Sequence, residues 1–137
     1  MTRFVVDASI ATLWYANEPH SAAASVLLEG EDELHAPDLL FVETANALWK
    51  KQLRGEMDTE VVEDSLAHLL TAGLVVSQAA TLLKSATRLA VEARHPVYDC
   101  VYLTLARQRD AVLATEDKRL SRLAARENVR IWHPERG

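Results

Sequence analysis

Short apolar segments alternate with helical segments along the whole chain, and this alternation constrains the fold more than any other feature. An apolar run such as Arg3 to Asp7 is typical of a buried strand, because it has no helical periodicity. Strands are predicted at residues 3–7, 34–36, 74–77, 111–114 and 129–132. Helices are predicted at residues 9–17, 20–28, 38–54, 58–72, 80–93, 98–109 and 118–127. Regular alternation predicts a three-layer α/β fold, in which helices cover both faces of a central parallel sheet.

The long helix over residues 38–54 has recognisable ends. Asp38 is expected to cap its N-terminus. Lys50, Lys51 and Arg54 suit the negative end of its dipole, and Gly55 ends it.

Length and composition predict a single domain spanning residues 1–137. The chain has 49% hydrophobic and 26% charged residues, which is typical of a globular domain with one core. Its only cysteine, Cys100, has no partner for an internal disulfide. We find no signal-peptide pattern and no apolar stretch long enough to cross a membrane. We therefore expect a cytoplasmic protein.

Charge is distributed unevenly along the chain, whose net charge is −5. Residues 1–83 carry 4 basic and 13 acidic side chains, whereas residues 84–137 carry 11 basic and 7 acidic ones. A basic surface on one side can hold a nucleic-acid backbone even when the total charge is negative. A solvated, arginine-rich helix face would give the same pattern.

Four acidic side chains are candidates for a ligand-binding site at the carboxyl edge of the predicted sheet. Such ligands lie beyond the carboxyl ends of strands, and Asp7 and Asp117 follow the first and fourth predicted strands. Asp99 lies in the first turn of a helix, and Glu43 lies among apolar residues of another. Asp99 and Asp117 could act only as helix-start residues, and Glu43 could face solvent. A buried Asp7 or Glu43 needs a partner.

Carboxylates gathered in one pocket favour a hard cation. Like charges raise each other's pKa unless a cation neutralises them, and Mg²⁺ prefers oxygen ligands. The sequence has no CxxC or HExxH motif that would indicate zinc. We expect Asp7, Glu43, Asp99 and Asp117 to hold Mg²⁺ or Mn²⁺ for phosphodiester cleavage.

Three polar side chains are expected to support the acids. Ser9 and Thr115 are short hydroxyls near two of them and can bond ligand oxygens, and Asn46 lies one turn after Glu43 on the same helix. Cys100 is interpreted as a small buried residue. The histidines are interpreted as ordinary surface or loop residues: His20, His35, His68, His95 and His133.

The order of these motifs resembles the PIN-domain family, and the likeness covers residues 3–132. The matching motifs are DAS at residues 7–9, APDLL at 36–40 followed by Glu43 and Asn46, PVYD at 96–99, and VLATEDKRL at 112–120. Within the family, the chain looks most like the VapC-type toxins of bacterial type II toxin–antitoxin pairs.

This resemblance implies an Mg²⁺- or Mn²⁺-dependent endoribonuclease that cleaves RNA, often a structured RNA such as tRNA. It also implies a homodimer that is silenced by a cognate VapB-like antitoxin, whose C-terminal segment covers the active-site groove. Trp14, Tyr15, Leu39 and Phe41 are candidates for an exposed apolar surface that a partner would cover. Leu39 and Phe41 could equally belong to the core.

Two alternatives remain at this stage. The first is a receiver-like α/β domain that moves a phosphoryl group onto an aspartate. It needs a second acid close beside the nucleophile, and Ala8 and Ser9 follow Asp7 instead. The second is a domain that keeps the fold but only binds other molecules.

Overall fold

A computed structural model describes residues 1–135 and contains one five-stranded parallel sheet with seven α-helices among these residues. The strands are β1 (Arg3–Val6), β2 (Glu33–Pro37), β3 (Val75–Ser77), β4 (Val112–Ala114) and β5 (Ile131–Trp132). The helices are α1 (Ala8–Tyr15), α2 (Ser21–Glu29), α3 (Leu39–Leu53), α4 (Thr59–Leu70), α5 (Leu83–Ala93), α6 (Val97–Arg109) and α7 (Lys118–Arg126). The predicted α/β fold with a parallel sheet is confirmed.

The strand order is β3-β2-β1-β4-β5, which places β1 at the centre of the sheet. Phe4 of β1 lies opposite Leu34 of β2 and Val112 of β4. The chain moves outward from β1 through β2 to β3, then returns to the other side of β1 at β4. The order therefore reverses between β1 and β4, and ligands of such sheets bind beyond the carboxyl ends of the strands at this reversal.

The helices cover both faces because parallel crossovers are right-handed. The connections from β1 to β2 and from β2 to β3 run in one direction, so α1 to α4 lie on one face. The connections from β3 to β4 and from β4 to β5 run in the opposite direction, which places α5, α6 and α7 on the other face. Contacts agree with this division, since α1 packs on α2 and α3, α3 packs on α4, and α5 packs on α6.

One helix cap and one helix start differ from the prediction. Asp38 occupies the N-cap position of α3, but its side chain makes no capping bond there. Its backbone is already helical, and its Oδ1 accepts a hydrogen bond from the backbone amide of Ala79, 2.9 Å away. The helix predicted over residues 80–93 begins only at Leu83, because Ala79–Thr81 form a separate 3-10 turn. Gly55 has a φ of 77° and ends α3 as expected.

The expectation of an exposed apolar surface at four early residues is wrong. Trp14, Tyr15, Leu39 and Phe41 are half-buried and pack against the core. The indole of Trp14 also donates a hydrogen bond to the carbonyl of Ala24 at 2.8 Å. The large apolar side chains that are exposed lie elsewhere, for example Val42, Trp49 and Leu53 on α3.

None of the helices in residues 1–135 combines the length and hydropathy that crossing a bilayer requires.

Candidate active site

Asp7 is a buried carboxylate at the carboxyl end of the central strand. It is 5% exposed and forms the N-cap of α1, where Oδ1 accepts a hydrogen bond from the amide of Ile10 at 3.2 Å. The hydroxyl of Ser9 also donates to Oδ1, at 2.5 Å, and the hydroxyl of Thr115 donates to Oδ2. Both carboxylate oxygens are therefore held, and the side chain has little freedom to rotate.

The segment after β4 comes to Asp7 from the neighbouring strand. Thr115 is fully buried, and its Oγ1 accepts a hydrogen bond from the amide of Asp117 at 3.0 Å. The amide of Glu116 donates to the hydroxyl of Ser9 at 2.9 Å. Asp117 is the N-cap of α7, whose amides donate to Oδ1. Ser9 and Thr115, which are predicted to support the acids, thus each donate to Asp7 and accept from a backbone amide of the segment after β4.

Asp99 lies in the first turn of α6 beside a buried histidine. Its Oδ2 is 2.9 Å from Nε2 of His95, and the His95 and Asp99 side chains are only 7% and 17% exposed. His95 precedes the helix, and the backbone leaves the previous helix through Arg94, whose φ is 54°. Left-handed backbone at Arg94 turns the chain sharply. The turn lets His95 reach the helix that follows it.

Glu43 lies on α3 and is held by a tyrosine from α6. The hydroxyl of the buried Tyr102 donates to Oε1 of Glu43 at 2.6 Å. Tyr102 is three residues after Asp99, so both side chains project from the same side of α6. Asn46, predicted to support Glu43, is exposed and makes no side-chain hydrogen bond among residues 1–135.

The four acids interact electrostatically, and Asp99 lies at the centre. Its charge raises the pKa of Asp7 and of Glu43, and Asp117 raises that of Asp99. Burial is the larger cause of the raised pKa in all three. For Asp7, desolvation outweighs the hydrogen bonds from Ser9, Thr115 and Ile10 and raises the pKa to about 6.

The four carboxylates have the right chemistry for a hard divalent cation. They do not yet lie close enough together to bind one ion. Four carboxylates supply oxygen ligands of the kind that Mg²⁺ and Mn²⁺ take. Within residues 1–135, however, no three His, Cys, Asp or Glu side chains are already arranged to hold a metal ion. The acids reach the site from four different elements, so a bound cation would have to draw them together.

The raised pKa of Asp7 predicts how stability changes with pH when no metal is present. The folded state keeps this proton up to about pH 6, whereas the unfolded chain loses it near 3.8. The folded state therefore binds more protons between these values, and its stability falls as pH rises. The shift corresponds to about 3 kcal/mol, fully lost by about pH 7.

Asp7→Asn cannot titrate, so we expect its free energy of unfolding, relative to wild type, to rise by about 2.4 kcal/mol from pH 4 to pH 7. Urea unfolding in EDTA at several pH values measures this difference. Asp64→Asn, at an exposed position on α4, is the control and should run parallel to wild type. A parallel curve for Asp7→Asn would show that Asp7 is already ionised at low pH.

Two residues that hold the acids were not found from the sequence. The interpretation of the histidines as ordinary surface or loop residues is wrong for His35, which is buried in β2. His95 does lie in a loop, but it is buried and bonded to Asp99. His20 is also engaged, with Nδ1 2.6 Å from Glu116 Oε2. Tyr102 resembles an ordinary core aromatic in the sequence. Only its spacing from Asp99, three residues along one helix, could have pointed to it.

Comparison with known proteins supports the class of protein that this fold and these acids define. The family model described as "PIN domain" matches residues 4–126. The chain is 35% identical over 121 residues to Ribonuclease VapC3 of Pyrobaculum aerophilum, an alignment that covers 87% of this chain and 92% of the relative.

Solved structures share the fold. The crystal structure of PAE2754 from Pyrobaculum aerophilum has a TM-score of 0.77 at 24% identity, covering 98% of this chain and 90% of that one. VapBC2 from Rickettsia felis, solved bound to a DNA fragment from their promoter, has a TM-score of 0.66 at 13% identity, covering 96% and 98%. The fold is that of a PIN-type α/β domain. The chain belongs to the PIN-domain family, and within that family to the VapC-type ribonuclease toxins.

Proposed function

We propose that the chain is the toxin of a toxin–antitoxin pair, and that it cleaves RNA with Mg²⁺ or Mn²⁺ held by Asp7, Glu43, Asp99 and Asp117. One observation supports the proposal: the four carboxylates come from different parts of the chain, and their charges act on one another. The charge of Asp99 raises the pKa of Asp7 and of Glu43, and the charge of Asp117 raises the pKa of Asp99. Such a concentration of negative charge is unfavourable unless a cation neutralises it.

The residues of the site have distinct tasks. Asp7 is the fixed ligand, because Ser9 and Thr115 hold both of its oxygens. Asp99 and Glu43 each keep one partner, His95 and Tyr102, which limits their rotation but leaves the other oxygen available.

The substrate-facing end of the site also has polar groups. Ser9 lines a cleft beside Asp7, and the exposed Asn46 follows Glu43 by one turn of α3. We assign Asn46 a contact with the RNA or its water rather than with a metal ion. When bound, a divalent ion supplies charge neutralisation on the phosphate and activates a nucleophile at neutral pH. The residues themselves position the ligands and carry the charge.

Incubation of the purified protein with labelled single-stranded RNA and with tRNA tests this function. We expect cleavage in Mg²⁺ or Mn²⁺, and none when EDTA removes the metal. We propose tRNA as a candidate target because toxins of this type often cut structured RNA. Equal cleavage in EDTA would contradict the metal dependence, and no cleavage of any RNA in Mn²⁺ would contradict the function.

We also propose that the protein forms a homodimer and is silenced by a VapB-like antitoxin encoded by an adjacent gene. The VapBC2 structure, which shares this fold, supports the proposal. We expect co-expression with the neighbouring small reading frame to give one co-eluting complex with suppressed RNA cleavage. Size-exclusion chromatography with light scattering measures both states. A monomer that fails to associate with the neighbour's product would contradict both parts.

A further inference from the structure

A cleft between α1 and α3 opens beside the carboxylates and runs away from them. Its volume is about 310 Å³. One end is lined by Ser9 and Glu116, which contact each other next to Asp7. The other end is lined by Lys50 of α3 and by Arg54, the residue that follows this helix. A molecule that lies along this cleft would therefore extend from the acidic site to basic side chains.

The basic side chains of the acidic part of the chain are concentrated in this cleft. Residues 1–83 contain four Lys and Arg residues, and three of them, Lys50, Lys51 and Arg54, line it. Glu43 and Lys50 are seven residues apart, so they project from one side of α3, and Arg54 follows Lys50 by four residues at the end of the helix. Seven residues of helix separate Glu43 from Lys50 by about 10 Å, which corresponds to a few nucleotides of an RNA strand.

The charges nearby leave a cation available at Lys50. Lys51 is paired with Glu18, and Arg54 with Glu56. In the part of the chain that the structure describes, no carboxylate lies within ion-pair distance of Lys50. The other acid of the cleft, Glu116, is bonded to His20. Both acids that line the cleft, Glu18 and Glu116, thus have partners, Lys51 and His20, which reduce their repulsion of an incoming phosphate.

The dipole of α3 offers a simpler reason for cations near its C-terminus. That attraction contributes only about 0.3–1 kcal/mol per residue and acts at any position around the last turn. The helix dipole does not explain why Lys50, Lys51 and Arg54 line one cleft. It also does not explain why Lys50 projects from the same side of α3 as Glu43.

We propose that this cleft binds the phosphate backbone of the RNA substrate on one side of the cleavage site, with Lys50 as the main contact. The inference rests on the proposed function, since it assumes that RNA reaches the carboxylates. It adds the path of the strand: from Asp7 and Ser9, along Ala47, to Lys50 and Arg54. Lys50 acts in binding and not in the chemical step.

Lys50→Ala is the test, and Lys84→Ala is the matched control, because Lys84 is an exposed lysine on α5. Binding of a short fluorescein-labelled single-stranded RNA is measured by anisotropy in EDTA at several salt concentrations. We expect Lys50→Ala to weaken binding roughly five- to tenfold and to reduce the slope of log K against log salt by about 0.7. In Mn²⁺, KM should rise by a similar factor while kcat stays within about twofold of wild type.

The outcomes separate this inference from the proposed function. If wild type cleaves RNA and Lys50→Ala has the same KM and the same salt slope as Lys84→Ala, RNA binding by the cleft is overturned and the proposed function stands. Wild type that binds RNA through Lys50 but never cleaves it supports the cleft and overturns the function. If Lys50→Ala binds RNA like wild type but associates more weakly with the adjacent gene's product, the cleft binds a protein partner and the inference is wrong. Wild type that binds no RNA also overturns the inference.

Discussion

The variant Asp99→Asn is expected to cleave RNA at a rate lower by on the order of 10²-fold or more, with its fold intact. Asparagine has the same shape as aspartate but no charge, so it is a much weaker ligand for a hard cation. Asp99 is the acid whose charge raises the pKa of both Asp7 and Glu43, which places it at the centre of the cluster. Asp7→Asn should lose activity to a similar degree.

Asp110→Asn provides the matched control for this loss. Asp110 is exposed and ends the same helix, α6, in a left-handed conformation that asparagine tolerates well. We expect its cleavage rate to equal that of wild type. The assay is single-turnover cleavage of labelled RNA in saturating Mn²⁺. Wild-type activity in both Asp7→Asn and Asp99→Asn would remove these two acids from the site.

A divalent cation should raise the stability of the folded protein by about 2.7 kcal/mol when present at about 100 times its dissociation constant. The gain arises because the ion binds the folded carboxylate cluster and relieves its repulsion. For a domain of this size, it corresponds to a rise in melting temperature of roughly 5–10 °C. Thermal melts in Mn²⁺ and in EDTA measure it.

Asp99→Asn should change the melting temperature both in EDTA and in Mn²⁺. Without metal, the variant should melt above wild type, because burial and the charge of Asp117 already raise the pKa of Asp99 and make its ionised form costly. With Mn²⁺, its increment should shrink. A role for Asp99 only at the helix start predicts a small loss of stability and an unchanged metal increment. Asp110→Asn should keep the full increment.

The part of the fold that the sequence predicts is the part set by local pattern and topology. Short apolar runs alternate with helices, and right-handed crossovers then leave few arrangements of a parallel sheet. The same rules place Asp7 and Asp117 at one edge, because both follow strands directly. Asp38 occupies the predicted N-cap position, but it makes no capping bond because its side chain accepts from a distant amide, that of Ala79.

The residues that hold the acids could not be predicted, since their partners lie far away in the sequence or across a bend. Tyr102 and Glu43 are 59 residues apart and lie on helices that cover opposite faces of the sheet, so their contact depends on the complete fold. His95 reaches Asp99 because the backbone turns sharply at Arg94. The cleft at Lys50 likewise depends on the packing of α1 on α3, which no local motif encodes.

A titration of the wild-type protein with Mn²⁺, followed in parallel by RNA cleavage and by melting temperature, tests the central claim most directly. If the carboxylate cluster holds the ion that cleavage requires, both curves should give one dissociation constant, and Asp99→Asn should shift both to higher Mn²⁺. Cleavage that reaches its maximum while the melting temperature stays constant, or a metal-dependent melting temperature with no cleavage, would contradict it.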